Sequence, residues 1–266
     1  MSSLTRRAGG LHYVGTSAVE GLAVLERRHR DPRASVICVH GGLDRGGSFS
    51  RLARRLEDFD VIAYDRRGYQ ASRGLGVASL ADHVADLVTL ARAEAQRARL
   101  LIFGHSMGGV IALGAALEAP DSITAAVAYE SPLPWILPRE HSRPHLGADA
   151  GEEAEIFFKR VVSPGAWERL GEFERESRRL DGPALLADLH SVRGPAPYDL
   201  AQLRAVTAYA HGDASLASYY RALAGLLEER YGIREIEMSG AGHGAHLSNP
   251  DQLATLVRHF WESACE

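Results

Sequence analysis

The sequence predicts an α/β protein with a mostly parallel, twisted sheet flanked by helices. Three observations carry that expectation. Short apolar runs alternate with stretches of helical spacing; a serine sits in a glycine-framed turn between one such run and an alanine-rich stretch; and a glycine-rich segment bearing His243 follows the last run.

Taken in order, apolar stretches near Leu11 to Val14 and Leu22 to Leu25 flank Gly15-Thr16-Ser17 and read as an opening β-hairpin. Ser35 to Val39 reads as a buried strand running into His40-Gly41-Gly42. Phe49 to Leu56 has helical spacing, Phe59 to Tyr64 is a strand, and Leu80 to Ala95 is a helix with Asp82 and Asp86 on its polar side. Leu100 to Phe103 is the strand before the serine turn. The stretch Val110 to Glu118 is long enough for a three-turn helix, and Pro120 stops it. Ile123 to Tyr129 is the next strand.

From Ser131 the pattern changes, because Pro132, Pro134 and Pro138 interrupt any sheet and a charged helical region follows from Glu152 to Leu189. Its apolar residues Phe157, Phe158 and Trp167, together with Trp135, read as a small core of their own. Strands return at Val206 to Ala210 and Ile233 to Met238, with helices at Leu216 to Tyr231 and Gln252 to Trp261. The division expected is therefore a core of residues 1–131 and 204–266, with 132–203 as a helical cap inserted after the strand ending near Tyr129.

At 45% hydrophobic and 24% charged, the chain can bury a sizeable core. Its formal net charge of -4, with both signs interspersed, gives no basic field, so no nucleic-acid partner is expected. The longest apolar runs fall short of a membrane span and Met1 to Gly10 lacks a signal's apolar region, so a cytoplasmic protein without membrane attachment is expected. Cys38 lies within a strand run and Cys265 next to the end, which supports no disulfide framework; Cys38 reads as a small core residue. His141 and His145 come without the spacing of a metal motif, so no metal and no cofactor are expected.

The stretch Gly104-His105-Ser106-Met107-Gly108 fits the pattern G-x-S-x-G, which holds a serine hydroxyl clear of the backbone on a sharp strand-to-helix turn. Ser106 is thus the candidate nucleophile. A serine needs a neutral imidazole in reach and a carboxylate to orient that imidazole. His243, in Gly240-Ala241-Gly242-His243-Gly244, is the candidate base, and His246 reads as a surface residue, one that supports the site's residues from behind, or one held by backbone bonds in a turn.

These residues make the chain resemble an α/β-hydrolase-fold protein. The resemblance rests on His40-Gly41-Gly42, Asp65-Arg66-Arg67-Gly68, the Ser106 turn and Gly240-Ala241-Gly242-His243, in the family's order. It implies an oxyanion hole built from the backbone N–H groups of Gly42 and Met107, with Leu43 as the alternative to Gly42. It also implies that the Asp65 loop braces the rim of the site, although Gln70 replaces a second glycine common there.

The third member of the triad departs from the family's pattern. Where the usual carboxylate is expected after Gly212, the sequence has Ser215, with Asp213 two residues early. Glu130, at the end of the strand after the nucleophile helix, is the preferred acid and Asp213 the second choice; both preserve the chain order Ser, acid, His. The function expected is a cofactor-independent serine hydrolase acting on a small acyl compound (ester, lactone or thioester) through an acyl-enzyme. The alternatives are a same-fold lyase, cyclase or haloperoxidase-like enzyme and a catalytically weak ligand-binding protein. Oligomeric state, a homodimer included, is left open.

Overall fold

Strands with no face turned to water read as continuous apolar runs, and those of this chain lie side by side for that reason. The computed structural model describes residues 10–15, 17–138, 147–214 and 216–265. Among these, β1 (His12–Tyr13), β2 (Val24–Arg27), β3 (Ser35–Val39), β4 (Asp60–Tyr64), β5 (Leu100–His105), β6 (Ala125–Tyr129), β7 (Val206–Gly212) and β8 (Arg234–Met238) form one sheet in the order β1-β2-β4-β3-β5-β6-β7-β8. The hairpin β1-β2 joins β4 antiparallel, and every pair from β4 through β8 is parallel. The mostly parallel sheet expected from sequence is therefore present.

Side chains alternate across the pleat, so each strand feeds two cores. Ile37, Val39, Leu100 and Ile102 pack on one face with α2 (Leu80–Ala95), α3 (Met107–Glu118) and α8 (Ala217–Tyr231). Val36, Cys38, Leu101 and Phe103 pack on the other with α1 (Ser50–Arg55) and α10 (Pro250–Cys265). Cys38 is fully buried, as a small core residue would be.

Local signals set the helix ends. Ser79 accepts the Asp82 N–H while Asp82 accepts the Ser79 N–H, a reciprocal cap that starts α2. Gly232, at φ 67°, ends α8 in the left-handed conformation that glycine adopts without strain. One expectation fails here: Asp86 does not face solvent. Arg67 folds back over α2 and grips it with two hydrogen bonds of 2.6 and 2.8 Å, leaving its side chain 6% exposed.

Between β6 and β7 the chain forms α4 (Ala150–Val161), α5 (Pro164–Arg169), α6 (Glu172–Leu180) and α7 (Gly182–Ser191). Phe158 and Trp167 are buried among them, with Phe157 partly so, and share a third core with Leu43 and Tyr69 from the loops above the sheet. Trp135 instead stacks edge-on against Tyr198, 5.7 Å between centroids. His141, His145 and Ser215 lie outside the described residues. Among the described residues no helix is long and apolar enough to cross a membrane.

Candidate active site

The turn leaving β5 places Ser106 at φ 53° and ψ -122°, a strained backbone that costs a residue with a side chain about 1–3 kcal/mol. Crowding enforces it. A Cβ on Gly104 would stand 2.3 Å from the Gly108 carbonyl oxygen, and one on Gly108 would stand 2.1 Å from that of Val39, so only glycine permits α3 to start this close to the sheet. The Ser106 N–H donates to the Tyr129 carbonyl at 2.8 Å and its own carbonyl accepts the Gly109 N–H at 2.9 Å. The backbone is thereby fixed while the hydroxyl makes no hydrogen bond among the described residues.

Glu130 follows the last residue of β6 directly, at φ 44°, with its side chain fully buried. One carboxylate oxygen accepts the Gly212 N–H at 3.0 Å, and the other lies 2.8 Å from His243 Nδ1. A carboxylate at Nδ1 selects the tautomer with its proton there, leaving the Nε2 lone pair free. The loop that carries His243 is pinned at its backbone: Tyr129 Oη donates to the Gly242 carbonyl at 2.8 Å, and His105 Nε2 lies 2.7 Å from the His243 carbonyl. The Tyr220 ring lies parallel to the His243 ring at 6.3 Å.

Asp213 sits elsewhere. Its oxygens accept the Gly240 N–H at 2.6 Å and the Ser239 hydroxyl at 3.2 Å, which ties the ends of β7 and β8 together. Of the two carboxylates left open by the sequence, Glu130 is the one at His243.

The loop after β3 is held by a buried network. Arg66 Nη2 donates to the Gly41 carbonyl at 3.2 Å and Arg66 Nε to the His40 carbonyl at 3.0 Å. The Arg66 N–H donates to His40 Nε2, so His40 Nδ1 carries the proton it offers to the Gly41 carbonyl at 2.7 Å. Burial, reinforced by the Arg66 charge, pushes His40 down to about 3 and keeps it neutral. Asp188 of α7 takes two hydrogen bonds from Arg66 and one from Tyr69 Oη. Burial alone would raise the Asp188 carboxyl, but Arg66 and His83 outweigh it and hold it below the usual carboxylate range. Gly42 lies beneath the intervening helices: a Cβ there would meet Leu185 at 3.1 Å and Phe157 at 4.0 Å.

The brace expected of the Asp65 loop is present in detail. Asp65 accepts the Gly46 and Ala71 N–H groups, Gln70 N–H donates to Asp181, and Ser177 Oγ donates to Gln70 Oε1. Of the readings open for His246, the surface and the backbone-bonded ones fail. It is 3% exposed, packs against the His105 and Phe49 rings, and reaches Asp44 Oδ2 at 3.1 Å, beside the residue that precedes Ser106. The short helix α9 (Ala245–Ser248) carries this side chain, with Ala245 and His246 both buried. Asp44 and Asp188 were not singled out from sequence; the only local signal is that Asp44 continues the His40-Gly41-Gly42 motif.

In sequence and in fold the chain is similar to known hydrolases. Residues 30–161 match the family described as serine aminopeptidase, S33. The uncharacterized hydrolase YugF of Bacillus subtilis is 32% identical over 112 residues, and that match spans 41% of each chain. A pimeloyl-[acyl-carrier protein] methyl ester esterase of Yersinia pestis is 28% identical over 250 residues, covering 85% of this chain and 93% of the relative. Among solved structures, the enol-lactonase from Burkholderia xenovorans superposes with a TM-score of 0.69 at 17% identity, over 94% of this chain and 100% of the other.

Proposed function

Because this chain has the α/β-hydrolase fold, we propose that it is a cofactor-independent serine hydrolase that cleaves a small carboxylic ester, lactone or thioester through an acyl-enzyme. One observation carries the reading: a buried glutamate 2.8 Å from Nδ1 of a loop histidine, on the same sheet edge as a serine held in a strained elbow.

In this mechanism Ser106 Oγ attacks the acyl carbon as His243 Nε2 removes its proton. Glu130 keeps the imidazole in the required tautomer and stabilises the imidazolium that forms. The negative charge on the carbonyl oxygen is met by the Gly42 and Met107 N–H groups, each worth about 3–4 kcal/mol in the transition state. His243 then protonates the leaving alcohol or thiol. Water attacks the acyl-enzyme in the second half, with His243 as base again. The hydrogen bond between Ser106 and His243 is made as substrate settles, since such contacts are often long in a free enzyme.

The Gly41 carbonyl and the Gly42 N–H belong to one trans peptide plane and point opposite ways. By fixing the carbonyl, Arg66 and His40 fix the direction of the N–H assigned to the oxyanion. Residues 132–203 act as a cap, and Leu185 and Phe157 over Gly42 exclude water from the acyl group. The ester named for the Yersinia relative and the lactone named for the Burkholderia structure both present an acyl carbon of this kind.

The test is labelling with a fluorophosphonate probe. Wild-type protein should be labelled at one site and hydrolyse nitrophenyl esters, whereas Ser106→Ala should do neither. Undiminished labelling of that variant would exclude Ser106 as the nucleophile.

A further inference from the structure

A second histidine cluster lies directly behind the elbow. His105 Nε2 is engaged with the His243 carbonyl, which leaves Nδ1 as the free nitrogen; that atom is buried and has no hydrogen-bond partner among the described residues. His246 is also buried, with neither ring nitrogen in hydrogen-bond geometry. Its Nε2 nevertheless lies 3.1 Å from Asp44 Oδ2, and one ligand-type atom from each of Asp44, His105 and His246 falls within 4.8 Å of the others. Buried imidazole nitrogens are ordinarily satisfied, so two such rings facing one carboxylate need an explanation.

We propose that Asp44, His105 and His246 bind a single divalent transition-metal ion of the zinc class, which clasps together the loop after β3, the nucleophile elbow and the histidine loop. Two imidazoles and a carboxylate are a donor set that suits such an ion and leaves a position for water. Ligand atoms at 2.0–2.1 Å on a tetrahedral ion stand about 3.3 Å apart, close to the separation of His246 from Asp44. His105 has the arrangement expected of a ligating histidine, with one ring nitrogen on a backbone carbonyl and the other free. Ser48 Oγ donates to Asp44 Oδ2 at 3.0 Å and orients that carboxylate. Arg178, bonded to the Leu43 carbonyl, adds positive charge nearby and tempers the affinity.

The ion takes no part in acyl transfer. It holds the segments from which Gly42, Ser106 and His243 project, so its binding is independent of whether Ser106 is a nucleophile. A second grouping, His211 with Glu235 and Glu237, carries no such inference, because His211 is already paired with Glu235 and Glu237 with Arg221.

The experiment is a titration of untagged, chelator-stripped protein with Co²⁺, followed by visible absorption and displacement with Zn²⁺. The expected result is one equivalent bound, with a rise in thermal midpoint when Zn²⁺ is present. Asp44→Asn and His246→Gln should each weaken binding by at least about tenfold, while His211→Gln should not. Circular dichroism verifies that each variant is folded; if His246→Gln is not, Asp44→Asn alone decides. Failure of the wild type to bind one equivalent, or undiminished binding in folded Asp44→Asn, overturns the site. Retained metal binding in Ser106→Ala, with esterase activity lost, separates this result from the fate of the proposed hydrolase.

Discussion

Arg66 and Asp188, 122 positions apart in the chain, meet through hydrogen bonds of 3.1 and 2.6 Å with both side chains buried. The pair joins α7 to the loop after β4. The same guanidinium holds the carbonyls of His40 and Gly41, so the position of a helix outside the sheet is coupled to the peptide plane between Gly41 and Gly42.

Removing one partner of such a pair leaves the other charge buried and unbalanced, which typically costs 3–5 kcal/mol. Asp188→Ala should therefore lose about that much stability in urea unfolding. Its remaining folded fraction should show a larger loss in kcat than in 1/KM, because the Gly41–Gly42 peptide, which the proposed mechanism sets against the oxyanion, loses its anchor. Unchanged kcat would show that the plane is held without Asp188.

The choice of acid is separately testable. Glu130→Gln should reduce kcat by about 10⁴, the loss associated with an imidazole in the wrong tautomer. Asp213→Asn should stay within a few-fold of wild type, since the Asp213 carboxylate bonds only Ser239 and Gly240 among the described residues. The reverse order would assign the role to Asp213.

Stability should fall on mild acidification. His40 and His83 are buried, and burial lowers both below their ordinary value, His40 to about 3. In the unfolded chain they take up protons near pH 6.5, so below that pH the unfolded state binds more protons and folding stability decreases as pH falls. His40 alone should give a slope approaching about 1.4 kcal/mol per pH unit near pH 5.5, above the carboxylate range, and His83 adds to it in the same direction. Urea titrations at pH 7, 6 and 5 measure it; a flat profile would mean that these rings are protonated in the fold.

Gly108→Ala should prevent α3 from seating, because the added carbon would lie 2.1 Å from the Val39 carbonyl oxygen and 2.9 Å from that of His40. Backbone atoms on both sides cannot move aside as a flexible side chain could. Loss of soluble folded protein by circular dichroism is the expected outcome, and a stable, active variant would contradict the packing of the elbow.

The strands from β3 to β7 were legible because burial on both faces leaves apolar runs in the sequence, and Ser106 and His243 stood out as candidates because each sits in a local motif. The acid could not be settled that way, since Glu130 and Asp213 satisfy the same chain order. Pairing of β6 with β7 distinguishes them in space: the Glu130 N–H bonds the Ala210 carbonyl, and its side chain caps Gly212. Asp188, Asp44 and His246 were harder still, because their partners come from distant segments and no periodicity records such a meeting. Asp86 was misplaced for the same reason, its partner Arg67 lying on another element.

The elbow's glycines have a consequence for how this enzyme could be altered. Gly104, Gly108 and Gly109 face backbone or buried atoms with no space for a single carbon. A mutant library spread evenly over the chain would therefore waste its members there. The outer helices, with Phe173 82% exposed and Leu180 half exposed, can absorb new side chains freely. Selection for new substrates should accordingly gather its substitutions between residues 150 and 191 and leave the turn around Ser106 unchanged.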